Sequence, residues 1–103
     1  MKIAVASTDG QKVDEHFGKA ERFLVYELTE EGPCLVAERK VEAYSTGDRD
    51  HGFESDRFLR VADVIADCEQ VYVSRIGDRP AEELSLRGVK PVVYEGEIAL
   101  IKG

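Results

Sequence analysis

The order of apolar patterns along the chain predicts an α/β fold with one mixed five-stranded sheet, arranged 3-2-1-4-5 in the sequence numbering of its strands, with strand 2 antiparallel. Three observations carry this. Strand-type runs at 2–7, 23–28 and 34–41 precede any helical pattern. The apolar period changes to that of a helix from Ser55 onward. Two further apolar runs, at 70–74 and 89–94, each follow a helix-like segment. A hairpin followed by two such crossings makes a mixed sheet with helices packed on it. Right-handed crossings keep the first, fourth and fifth strands parallel and adjacent, with the hairpin outside the first.

Each element has its own signal. Lys2 to Ser7 is an apolar inner strand, broken by Thr8-Asp9-Gly10, where Gly10 tolerates a positive φ. Phe23 to Leu28 is rich in β-branched and aromatic residues. Thr29 to Pro33 is a polar turn, and Cys34 to Val41 returns antiparallel, with Leu35, Ala37, Arg39 and Val41 on one side of the alternation. Ala43 to Glu54 has no periodic pattern and reads as a long loop. Phe58, Leu59, Ala62, Ile65 and Ala66 share a helical face, with Ser55 or Asp56 placed to cap its start. Gln70 to Ser74 is a buried strand built on Val71 and Val73. Asp78-Arg79-Pro80 opens a second helix, where Asp78 can accept free amides, and Gly88 ends it. Val89 to Tyr94 is the last strand, and Ile98 to Ile101 forms a small strand or covers an edge.

The 103 residues suit one domain spanning 1–103. A net charge of −7 repels a nucleic-acid backbone, and no basic cluster overrules it, so no nucleic-acid partner is expected. No apolar run is long enough to cross a bilayer, which excludes a membrane partner at this stage. The first residues lack a signal-peptide core, and Cys34 and Cys68 have no paired spacing, so a reducing cytoplasmic setting is expected, with both thiols buried and inert.

In such sheets ligands collect at the carboxyl ends of the parallel strands, beside helix N-termini. Three segments are expected to meet there: Ser7-Thr8-Asp9-Gly10, Val13-Asp14-Glu15-His16-Phe17-Gly18, and Ser74-Arg75-Ile76-Gly77-Asp78-Arg79. His16, with acidic neighbours, an aromatic beside it and Gly18 allowing close approach, is either a metal ligand as neutral imidazole or a locally hydrogen-bonded histidine. Arg75 and Arg79 either make a positive patch or pair with Asp78, Glu82 or Glu83. His16, Cys34, His51 and Cys68 are zinc-ligand types but share no chelating spacing. Asp9, Asp14 and Glu15 could hold magnesium, yet the fourth and fifth strands supply no converging carboxylate. No phosphate-loop or dinucleotide fingerprint and no nucleophile turn is present. The residues point to a binder or carrier rather than an enzyme.

The run Val5-Ala6-Ser7-Thr8-Asp9-Gly10, followed by Val13-Asp14-Glu15-His16-Phe17-Gly18-Lys19-Ala20-Glu21-Arg22-Phe23-Leu24-Val25-Tyr26, resembles the opening of the dinitrogenase iron–molybdenum cofactor biosynthesis family. That family includes NifX, the NafY cofactor-binding domain and the C-terminal domain of NifB. The resemblance continues through Ala62 to Val71, Ser74 to Gly77 and Leu86 to Val92. It implies a ribonuclease H-like three-layer fold without catalytic carboxylates. The implied function is non-catalytic binding and transfer of an iron–sulfur or iron–molybdenum cluster or its precursor during nitrogenase cofactor assembly. It implies His16 as the metal ligand, within a binding set of Ser7, Asp9, His16, Phe17, Gly18, Ser74, Arg75 and Gly77. The implied partner is a metallocluster assembly or acceptor protein, with the chain a monomer or weak dimer. Asp78-Arg79 before Pro80 departs from the glycine-rich turn of many relatives and bears on ligand size. A protein-interaction module of the same fold with no retained ligand, and a metal-dependent hydrolase, are the alternatives.

Overall fold

In the computed structural model the described residues are 1–41 and 55–101, Ser55 and Asp56 by backbone only. The central sheet consists of β1 (Lys2–Val5), β3 (Arg22–Thr29), β4 (Gly32–Lys40), β5 (Gln70–Val73) and β6 (Lys90–Val93), in the order β4-β3-β1-β5-β6. β2 (Lys12–Val13) and β7 (Gly96–Glu97) form a separate two-stranded ribbon. β1 pairs antiparallel with β3 and parallel with β5, and β5 pairs parallel with β6. The predicted order and strand directions are therefore those observed.

Alternation along the central strands builds two cores. Ala4, Ala6, Phe23, Val25, Val71 and Val73 face the helices. Ile3, Val5, Leu24, Tyr26 and Tyr72 face the opposite side, where Val13, Ile98 and Ile101 cover them. Both α1 (Ser55–Val64) and α2 (Asp78–Leu86) contribute to the first core, through Phe58, Val61, Ala62 and Leu84. Among the described residues α-helices thus occupy one face only; the layer on the other face is the β2–β7 ribbon with the 3-10 turn Ile98–Leu100. Of the two expectations for 98–101, a small strand or a cover, the strand is not formed: Ile98–Leu100 is that turn, and Ile98 and Ile101 pack in the second core. The ribbon's two-residue strands are too short to leave a periodic signature in sequence.

Four local expectations are corrected. The buried face of α1 is Phe58, Val61 and Ala62, continued by Ile65, while Leu59 and Ala66 are exposed. Alternation in β4 breaks because Val25 pairs with Ala37 but Tyr26 pairs with Leu35, leaving Val36 as the extra residue of a bulge. Ala37 and Val41 then pack on the helix side, whereas Leu35 and Val36 stand 59% and 55% exposed. Asp78 does not cap α2; Gly77 is the N-cap, with no side-chain bond to the free amides. Cys34 is exposed on β4, and only Cys68 is buried. The segment 43–54, expected as a loop and holding His51, lies outside the described residues.

Candidate functional site

Past β1 the chain leaves the sheet and is held by its own side chains. Ser7, 4% exposed, accepts the Gly10 N–H through Oγ at 2.9 Å and donates to Asp9 Oδ1 at 3.3 Å. Asp9 Oδ1 also accepts the amides of Gln11 and Lys12 at 2.8 and 3.0 Å. Those amides, Gln11 first, hold the Asp9 carboxyl below the usual carboxylate range. Gly10 sits at φ 76°, which a residue with a side chain adopts only with strain. Asp14 then clasps Thr8, accepting its N–H at 2.8 Å and its hydroxyl at 2.6 Å.

The next three residues return to the sheet between the ends of β1 and β5. Glu15 donates its N–H to the Ala6 carbonyl at 3.4 Å and accepts the Ser74 N–H at 3.0 Å. Phe17 donates to the Arg75 carbonyl at 2.8 Å, and His16 and Arg75 occupy paired positions of a parallel bridge. Phe17 is 1% exposed and drives its ring between Phe23 and Phe58, with centroids 6.0 and 6.2 Å away. It anchors the 3-10 turn Phe17–Lys19. Gly18, within that turn, has no positive φ, so the backbone does not demand glycine there.

His16 is half-buried, and its own N–H is taken by Glu15 Oε1 at 2.8 Å. Among the described residues the imidazole makes no hydrogen bond or ion pair, and the exposed Arg75 guanidinium makes none either. Arg75 therefore does not take the pairing with Asp78, Glu82 or Glu83 that sequence left open. Ser74 Oγ, on the residue before Arg75, is buried without a partner among the described residues. Gly77, exposed, leads into the uncapped first turn of α2.

The sequence-predicted set thus divides. His16, Ser74, Arg75 and Gly77 lie along one edge; Ser7 and Asp9 build the neighbouring turn; Phe17 is a core anchor. A hollow of about 590 Å³ opens on the β1–β3–β4 side, lined in part by Ser7, Thr8, Glu15, Lys19, Arg22 and Lys40. Neither His16 nor Arg75 lines it. Lys19, Arg22 and Lys40 were not singled out by sequence reasoning; the signal that could have found them is hairpin register, which sets Arg22 opposite Lys40.

Multidentate metal chemistry finds no donor set here. Among the described residues no three His, Cys, Asp or Glu side chains converge for a metal ion. Cys34 pairs with Glu27, itself opposite Lys2, and Cys68 precedes β5, so both thiols belong to the end of the sheet away from His16. Burial and the Asp67 charge push the Cys68 thiol up to about 11. At the described edge a metal would meet one imidazole.

The dinitrogenase iron-molybdenum cofactor family model matches residues 1–101. The chain belongs to that family. Within 93 aligned residues it is 38% identical to the FeMo cofactor biosynthesis protein NifB of Klebsiella pneumoniae, covering 88% of this chain and 20% of that one. Over 97 residues it is 30% identical to Protein NifX of Azotobacter vinelandii, covering 93% and 58%. The chain therefore spans about a fifth of the NifB relative and just over half of NifX. Two solved structures share the family fold: PH0822 (TM-score 0.63, 22% identity, 96% of this chain and 84% of that one) and the Thermotoga protein TM1290 (0.62, 21%, 95% and 79%).

Proposed function

We propose that this family member binds an iron–sulfur or iron–molybdenum cluster, or its precursor, at the His16–Arg75 edge and passes it to an assembly or acceptor protein without transforming it. The reading places the chain in a ribonuclease H-like subgroup of mixed-sheet folds, working in the cytoplasm as a monomer or weak dimer. One observation carries it: the His16 and Arg75 backbones are paired, while the imidazole, the guanidinium and the buried hydroxyl of the adjacent Ser74 all lack partners among the described residues.

That arrangement suits a transferable cargo. A single imidazole supplies one metal–nitrogen bond, which an incoming ligand from an acceptor can replace. Arg75 and the free amides of the α2 first turn offset the negative charge of a cluster. Ser74 Oγ can donate to a sulfide or carboxylate of the cargo, as can the Gly77 backbone at the mouth. Ser7, Asp9, Phe17 and Gly18 support the edge by shaping the two turns that flank His16. The name of the NifB relative, a FeMo cofactor biosynthesis protein, agrees with a place in that assembly.

Anaerobic titration with the isolated cofactor precursor tests the proposal, comparing wild type with His16→Ala. Binding by wild type that weakens in the variant supports it. No binding by either protein ends it, and equal binding by both removes His16 from the site. A second reading, an interaction module with no retained ligand, is favoured by the exposed Leu35 and Val36 on β4. Partner capture that survives loss of both His16 and Arg75, with no chromophore after anaerobic purification, would select it.

A further inference from the structure

The hollow beside the β1, β3 and β4 ends is lined by neither His16 nor Arg75, and its charges are unevenly committed. Arg22 is held on both sides, donating from Nη1 to Glu38 Oε2 and from Nη2 to the Thr8 carbonyl, each at 3.1 Å. Its guanidinium is therefore fixed in direction rather than free to sample rotamers. Glu38 is occupied by that pair, and Glu15 accepts the His16 amide. The Lys19 and Lys40 ammoniums, on the same lining, have no ion pair or hydrogen bond among the described residues. Glu21 is the one lining carboxylate with no such contact.

We infer that this hollow is a second binding site, for a small dianion that bridges the Lys19 and Lys40 ammoniums beside the Arg22 guanidinium. Two ammoniums and an oriented guanidinium can each bond an anionic oxygen, and such charge-assisted bonds outlast neutral ones. A volume of about 590 Å³ admits a molecule of dicarboxylate or phosphate-ester size with its water shell. Glu15 and Glu21 oppose the anion and keep its affinity modest. Glu15 also links the sites, since it lines the hollow and its carboxylate accepts the His16 N–H. This site goes beyond the cluster reading and stands whether or not a cluster binds at His16.

The test is an amide chemical-shift titration of the full chain at constant ionic strength, using succinate in one arm and inorganic phosphate in the other. A saturable response at Ser7, Thr8, Glu15 and Lys40, with the His16 amide following Glu15, is the expected result. The double variant Lys19→Ala, Lys40→Ala should weaken it about tenfold, and Glu21→Gln should strengthen it. A stronger succinate response assigns the site to carboxylates, a stronger phosphate response to phosphates. Shifts that never saturate in either arm, or equal affinity in the double variant, overturn the proposal. No cluster is present in the experiment, so its failure is separate from failure of the carrier reading.

Discussion

Phe17 hands its backbone N–H to the carbonyl of Arg75 at 2.8 Å, and with the Ser74 N–H bonded to the Glu15 carbonyl at 3.0 Å this holds the His16 backbone from both sides. The residue that makes the Arg75 contact is buried in the helix-side core, whereas the residue before it is left half-exposed, its ring without a partner among the described residues. Core packing and ligand presentation are thus divided between neighbours in the chain. Replacing Phe17 by Ala should cost about 3–5 kcal/mol in urea unfolding, the range for losing a buried aromatic ring. His16→Ala should stay within about 0.5 kcal/mol of wild type. Equal losses for the two would show that His16 is a packing residue.

Ser74 makes the opposite prediction for stability. Its buried hydroxyl has no partner, so Ser74→Ala removes an uncompensated polar group. The midpoint of unfolding should hold or rise, while affinity for the cofactor precursor falls. A clear drop in midpoint would mean that Ser74 Oγ has a structural partner.

The Thr8–Asp14 clasp closes the turn that precedes His16. Asp14→Ala should speed hydrogen exchange at the Thr8 amide and cost about 1 kcal/mol, the net worth of an ordinary hydrogen bond. Unchanged exchange at Thr8 would show that the Ser7–Asp9 network holds the turn without the clasp.

Arg39 of β4 grips Asp67 through both oxygens, at 2.6 and 3.0 Å, and donates to the Val64 carbonyl near the end of α1. The Arg39 guanidinium, followed in effect by Lys2, holds the Asp67 carboxyl well below the usual carboxylate range. A depressed folded-state pKa means that this contribution is present above the unfolded value of about 4 and is lost as pH falls below it. The pair is partly exposed, so the effect is screened and small. Wild type should exceed Asp67→Asn in stability at neutral pH, with the gap closing in acid. A gap that persists unchanged to pH 2 would mean that ionisation is not its source.

Thiol chemistry separates the two cysteines. Cys34 is exposed, and Cys68 is buried with its thiol pushed up to about 11. At pH 8 the folded chain should react with an aromatic disulfide reagent at Cys34 alone, and at Cys68 only in denaturant. Rapid reaction at both sites in the folded state would contradict the burial.

Period and punctuation carried the sheet order, because the strands at 2–5, 23–28 and 70–73 are continuous apolar runs bounded by turn residues. They also carried the neighbourhood of His16 and Arg75, since both follow carboxyl ends of strands that topology makes adjacent. The Val36 bulge left no mark on the alternation, and so Leu35 was assigned to the wrong side. The expected face of α1 kept Phe58, Ala62 and Ile65 but exchanged Leu59 and Ala66 for Val61, because Leu59 and Val61 both flank that stripe until a sheet is laid against it.

By itself, then, the order of residues determined which segments pair, which run parallel, and that residues 16 and 75 arrive at one end of the sheet. Those are consequences of local periodicity and chain connectivity. Tertiary structure alone decided that Phe17 is the anchor, that Asp9 and Asp14 are spent on turns, and that Lys19, Arg22 and Lys40 share a hollow. Those outcomes depend on which polar groups find partners across distant strands, a competition between contacts that no short window of sequence contains.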